Sequence, residues 1–254
     1  MVDVANLDPK TIIARTLAIV DLELRCAYVL TWFIAPADTP MAALEEVCKR
    51  AEAGEVDAKA VLFTLVDALS RVPPDVRVRL RRDAIEADLF ALERLLRGPT
   101  PSTPPPSRNV PDYGKGRPLT LGERKSLARR PDRAMFDKLL ADPHPDVIFR
   151  LLANPKLTES DVVRLAARRP TEAAVLEQVA NTPRWVRSRR VRMALVCNPS
   201  CPEHIAARLT SLLLRGELED VRNSPDVSPI VRQLCIEHLA RRPPTSVKPD
   251  GSVH

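Results

Sequence analysis

One short phrase keeps returning along residues 127–243: an apolar residue, usually Ala, one to three mostly polar residues, then Pro. The copies read Leu127-Ala128-Arg129-Arg130-Pro131, Leu140-Ala141-Asp142-Pro143, Leu152-Ala153-Asn154-Pro155, Ala166-Ala167-Arg168-Arg169-Pro170, Val179-Ala180-Asn181-Thr182-Pro183, Val196-Cys197-Asn198-Pro199, Val221-Arg222-Asn223-Ser224-Pro225 and Leu239-Ala240-Arg241-Arg242-Pro243. Proline lacks an amide hydrogen and disfavours helical backbone in the residue before it, so each copy marks a helix stop. Successive prolines stand 12, 12, 15, 13, 16, 26 and 18 residues apart. Helices this short are marginal alone and must be held by their neighbours. Two consecutive segments make a unit of roughly 24 to 29 residues, the size of a helical-hairpin repeat.

The rest of the chain points the same way. Seven Gly against 25 Pro, with few aromatic residues, suits many short helices and not a sheet protein dependent on glycine turns. The expected class is all-α. Asp8-Pro9 opens a long helix to about Phe33, with Ile12, Ile13, Leu17, Val20, Leu24, Ala27 and Leu30 at helical spacing. A second helix runs from Thr39-Pro40 to a stop at Gly54, a third over 57–72, and a fourth over 75–97 with Val78, Leu80, Ile85, Leu89 and Leu92 apolar. Residues 1–98 therefore read as a helical bundle. The proline-rich run 99–118 reads as an exposed spacer stiffened toward polyproline II, and the polar tail 244–254 as disordered.

Thr120-Leu121-Gly122-Glu123 is a capping box that starts the repeat domain, residues 119–243. Val147, Leu151, Leu152, Val162, Val163, Leu165, Val175, Leu176 and Val179 supply its apolar seam, and further caps stand at Thr158 with Asp161, at Thr171 and at Ser228-Pro229.

The stretch Asp142-Pro143-His144-Pro145-Asp146-Val147-Ile148-Phe149-Arg150-Leu151-Leu152-Ala153-Asn154-Pro155-Lys156-Leu157-Thr158-Glu159-Ser160-Asp161-Val162-Val163-Arg164-Leu165-Ala166 is similar to the leucine-rich repeat variant family and, more broadly, to HEAT-like α-solenoids. The resemblance covers residues 120–243. It implies an α-helix alternating with a shorter, often 3₁₀, helix in a superhelical stack. The 26-residue step near Arg215-Gly216 departs from the family's regularity, and there is no iron–sulfur cysteine cluster of the kind one family member carries upstream of its repeats. Residues 1–98 resemble no family.

Charge divides unequally. Residues 1–98 carry 13 Lys+Arg and 16 Asp+Glu, net −3, whereas the remainder carries 26 and 17, net +9. An acidic partner for the basic half is the natural expectation, whether protein, nucleic acid or the chain's own first unit. The densest basic run is Arg184, Arg187, Arg189, Arg190 and Arg192 around Trp185, read as one helix. With Arg168, Arg169, Arg129 and Arg130 at equivalent helix ends it makes a candidate basic stripe, Trp185 serving as a stacking surface. The competing reading is structural: late arginines complement the helix dipole and solvate a face.

Other chemistry is thin. Cys197, Cys201 and His204, and Cys235 with His238, have spacings that share a helix face, but buried free thiols describe them better than a zinc site. Gly114-Lys115-Gly116 lacks the spacing of a phosphate loop. HEAT-like DNA glycosylases use a Trp and an Asp in a basic groove, which Trp185 with Asp161 or Asp146 imitates only by analogy of fold. Five cysteines, an odd number, and no signal-peptide or 20-residue apolar pattern suit a reducing, cytoplasmic setting. The expectation is a non-enzymatic scaffold or adaptor without cofactor or metal, holding an acidic protein partner on a basic repeat surface. A nucleic-acid binder is the alternative.

Overall fold

The computed structural model describes residues 7–34, 39–99, 109–130 and 132–242. Among them lie sixteen α-helices, one 3₁₀ turn and no strand. None of these helices is long and apolar enough to cross a membrane. The tail 244–254 and residues 100–108 of the proline-rich run fall outside the described residues.

Two of the long helices expected near the N-terminus are each broken. The first is α1 (Pro9–Ala18) followed by α2 (Leu22–Ile34). Ile19 is extended, the Arg25 Nε donates to its carbonyl at 2.7 Å, and the Asp21 carboxylate accepts the Leu24 amide at 2.9 Å to restart the helix. A local cap thus overrides the apolar periodicity. α3 (Met41–Glu52) ends near Gly54, whose φ of +101° is open to glycine at little cost, and α4 (Val56–Arg71) follows. The fourth expected helix is α5 (Pro74–Glu86) and α6 (Phe90–Leu96), separated at Asp88 with φ +55°. Buried Glu45 on α3 accepts the amides of Ala91 and Leu92 at 3.2 and 2.8 Å, so a side chain 46 residues earlier satisfies the new N-terminus. Val78 and Ile85, two of the apolar positions of that expected helix, are 70% and 55% exposed.

The second half runs through α7 (Leu121–Arg129), a 3₁₀ turn (Arg133–Met135), α8 (Phe136–Leu140), α9 (Pro145–Leu152), α10 (Glu159–Ala167), α11 (Ala173–Ala180), α12 (Pro183–Val186), α13 (Arg189–Val196), α14 (Glu203–Ser211), α15 (Arg215–Asn223) and α16 (Pro229–Arg241). The Thr120–Glu123 capping box is formed, as is that of Thr158 with Asp161. The 26-residue step conceals a boundary: α14 and α15 meet at a turn over 212–214 that has no proline. α7 packs on α9 and α9 on α11, while α10 packs on α13 and α13 on α15. The apolar seam is buried except for Val163, which is half-buried.

Side chains tie helices of this half to others 24 to 32 residues along the chain. At the C-terminal ends, buried Asn154 donates through Nδ2 to the carbonyls of Ala128 and Arg130, both at 2.9 Å. Asn198 does the same to Ala166 and Arg168 at 2.7 and 2.9 Å. Each Asn also folds its own Oδ1 onto the amide two residues on, Lys156 or Ser200. Arg168 reaches the Leu140 carbonyl at 3.2 Å, 28 residues back, and Arg242 reaches those of Ser211 and Leu213. At the N-terminal ends, Arg133 pairs with Asp161 and Arg189 with buried Glu217, each 28 residues apart. Asp161 also accepts the Thr158 amide and Glu217 the Leu214 amide, so both acids cap their own helices.

The two halves are in contact, and the proline-rich run does not hold them apart. α6 packs on α14, Arg97 lies 3.9 Å from Glu203, and the apolar side chains of both halves join one cluster. Tyr113, in the segment expected to be exposed, is buried; its hydroxyl donates to Asp142 at 2.6 Å, and Asp142 pairs with Arg124 at 2.7 Å.

The asparagine ties make a direct prediction. Asn154→Ala removes the side-chain donor to two carbonyls, and Asn198→Ala removes that to Ala166 while Arg168 keeps the Thr171 hydroxyl at 2.6 Å; each should cost about 1–3 kcal/mol. Asn198→Asp should cost at least as much, because a carboxylate cannot donate. Exposed Asn181→Ala should stay within about 0.5 kcal/mol of wild type. Urea denaturation of the four variants checks this.

Candidate functional site

The basic run 184–192 is not one helix. Pro183 opens the single turn of α12, and Ser188 then caps α13 by accepting the Val191 amide at 3.3 Å. Arginines predicted to share a side therefore lie on two elements. Trp185 is only 4% exposed, its Nε1–H donates to the Leu152 carbonyl at 2.9 Å, and the Arg184 guanidinium covers its ring at 4.3 Å. It is an anchor between layers, and it presents no face on which a base could stack. Arg192, 6% exposed, donates to the carbonyls of Val186 and Arg187 at 3.0 and 2.8 Å and lies 5.1 Å over Phe63 of α4. Burial lowers its pKa from the ordinary arginine value, and it joins the two halves as a structural cation.

The continuous stripe is also absent. α10 and α13 run side by side in the same direction: Ser188 and Arg190 at the start of α13 meet Glu159 at the start of α10, whereas Asn198, just past the end of α13, caps the end of α10. Arg189 and Arg190 thus sit at one edge, and Arg168 and Arg169 at the opposite edge about 12 Å away along an eight-residue helix. Arg169 donates to the Cys197 carbonyl at 2.6 Å and pairs with Asp226 at 3.0 Å. Arg184 and Arg187 are exposed and, among the described residues, have no carboxylate at ion-pair distance. Arg190 meets only an exposed glutamate, at 3.6 Å.

The Trp–Asp analogy fails on the same geometry, since Trp185 is buried, Asp161 is committed to Arg133 and its own helix cap, and Asp146 pairs with Lys125 at 2.9 Å. Burial pushes the Cys201 and Cys235 thiols up to about 12, so both are protonated at neutral pH. His204 is bonded to Glu177 at 2.9 Å. Among the described residues no group of three metal-ligating side chains converges.

His238 belongs to a cluster that local sequence gave no means of finding. Fully buried on α16, it lies 3.4 Å from Glu52 of α3, which pairs with Arg94 of α6 at 2.7 Å. Burial alone would raise the Glu52 carboxyl, but His238 and the Arg94 guanidinium hold it down at about 2. Burial in turn pushes His238 below its ordinary value despite the neighbouring carboxylate. At neutral pH this lowering leaves the imidazole uncharged beside the Glu52–Arg94 ion pair. The other residues missed by sequence reasoning are Asn154 and Asn198; their signal was an Asn directly before Pro in two copies of the repeated phrase.

No family model, curated protein or solved structure matches this chain.

Two predictions follow from these contacts. Arg192→Ala should destabilise by about 2–4 kcal/mol through lost packing and stranded carbonyls, while Arg184→Ala should change stability by less than about 1 kcal/mol; thermal unfolding separates them. His238 binds its proton more weakly folded than unfolded, so its contribution is present above pH 6.5 and falls as the pH drops below that value. Glu52 contributes above pH 4.5 and is lost toward pH 2. His238→Gln should flatten the stability profile below pH 6.5, where one proton is worth at most about 1.4 kcal/mol per pH unit. Glu52→Gln should act on the lower arm.

Proposed function

We propose that this chain is a non-enzymatic scaffold or adaptor in which residues 119–243 form a basic α-solenoid of hairpins like those of the leucine-rich repeat variant and HEAT families. It holds an acidic protein partner on the repeat surface. The recurrence of inter-layer ties at 27 to 29 residues supports the repeat reading: Arg164 to Asp137, Arg169 to Cys197, His204 to Glu177 and Arg242 to Leu213 are all of this kind. The observation that carries the partner reading is the pair Arg184 and Arg187, exposed on a short element fixed from beneath by Trp185 and Arg192. Guanidinium forks on a rigid support suit bidentate pairing with carboxylates. Burial of Trp185 removes the aromatic platform on which a single-stranded nucleic-acid reading leaned.

The test uses the full chain with labelled poly-L-glutamate and, separately, a mixed-sequence DNA duplex at about 50 mM salt, where phosphate attraction is strong. Saturable binding of the polyanionic polypeptide, weakened roughly tenfold by Arg184→Glu with Arg187→Glu, is expected. Arg189 is left intact because reversing it would set a carboxylate against buried Glu217. Tight, steeply salt-dependent DNA binding would replace this reading with the nucleic-acid alternative, and binding of neither probe would end both.

A further inference from the structure

A second surface lies in the acidic half, on α5. A groove of about 790 Å³ runs between the outer side of α5 and the chain leaving α6, with Val78 and Ile85 on its floor and Arg77, Arg81 and Arg82 around it. α5 buries little: its fully covered side chains are Leu80 and Ala84. Val78 and Ile85 stand seven residues apart, two helical turns or about 10 Å, on the face that no described element covers. β-Branched residues lower helix propensity, so at exposed positions they cost stability and gain no burial in the isolated chain.

The charge around this floor is positive although the half that carries it is net −3. Arg77 donates to the neutral carbonyls of Leu69 and Val72 at 2.6 and 3.1 Å, and Glu177 is the carboxylate that acts on its charge, with no direct ion pair among the described residues. Arg81 shares the single Glu93 carboxylate with Arg97. Arg82 has only the exposed Asp83 and Glu86, at 3.3 and 3.8 Å, and pairs of that kind contribute little.

We propose that the α5 groove binds an acidic amphipathic helix of a protein partner, its apolar side seated on Val78 and Ile85 and its carboxylates meeting Arg81 and Arg82. α5 is 13 residues long, about 20 Å, which matches a partner helix of three to four turns with anchors at i, i+3 or i+4, and i+7. The chain's own stretches outside the described residues are a poor match in charge: residues 1–6 and 35–38 contain one Asp each, residues 100–108 one Arg and no acid, and residues 243–254 one Lys and one Asp, so none carries a row of carboxylates. A second copy pairing α5 on α5 about a two-fold axis would set the arginines against themselves.

The probe is a designed peptide of about 18 residues with Leu at i, i+3, i+4 and i+7 of successive turns and Glu elsewhere, titrated into the full chain by anisotropy. A control peptide carries Lys for every Glu. The Glu peptide should bind saturably and the Lys peptide should not. Val78→Glu with Ile85→Glu, and separately Arg82→Glu, should each weaken binding by roughly tenfold or more while leaving the melting temperature within a few degrees, since these side chains are exposed. Equal binding of the two peptides, no binding, or indifference to the Val78 and Ile85 changes would overturn the proposal. So would sedimentation as a dimer that Val78→Glu with Ile85→Glu converts to monomer. None of the substituted residues belongs to the repeat surface, so failure here leaves the Arg184 and Arg187 experiment standing, and the reverse.

Discussion

The second half of this protein depends on donors for carbonyls. A helix leaves its last four carbonyls without intrahelical partners, and in helices of eight or nine residues such as α13 and α10 that is about half of the total. Where a proline stops the helix it aggravates the shortage, because it removes the amide that would otherwise fold back as a cap. Asn154, Asn198, Arg168, Arg242 and the Trp185 indole supply those donors from a neighbouring layer. Where a proline follows, stopping a helix and packing it become linked: the segment is short because of its proline, and its end is satisfied by a side chain from another helix.

The opposite ends of the same helices solve the converse problem with charge. Free amides and the positive end of the helix dipole favour an acid in the first turn, which Asp161 and Glu217 provide. Each then receives an arginine from the layer 28 residues earlier. For Asp161, partial burial would raise the carboxyl, yet Arg133 and the Thr158 hydroxyl and amide hold it at about 2. Neutral amide donors at one edge and alternating charges at the other specify direction as well as register, since a reversed helix would bring carboxylates to carbonyls.

The helix stops, the capping boxes and most of the seam were legible because each is written within a few residues. What was not legible depends on partners far along the chain. The start of α6 rests on Glu45, and nothing near Ala91 announces it. The boundary between α14 and α15 has no proline, so spacing alone merged the two. Trp185 and Arg192 were read as surface because a basic run looks solvated when its neighbours in space are unknown; Leu152 and Phe63, which cover them, lie 33 and more residues away. Val78 and Ile85 misled in the other direction, since their spacing is that of a buried face and no described element covers them.

The structural use of so many arginines changes what the charge excess means. A guanidinium held by carbonyls keeps its charge, since its partners are neutral dipoles, so the field of the +9 half persists at a distance. Its geometry, however, is already fixed and its donors occupied. Arginines whose donors are committed to carbonyls thus differ from the few whose forks stay open, Arg184 and Arg187 on and beside α12 and Arg82 beside the apolar floor of α5. Such a division spreads the salt-screened field over the whole surface while confining directional pairing with a carboxylate to the few open forks.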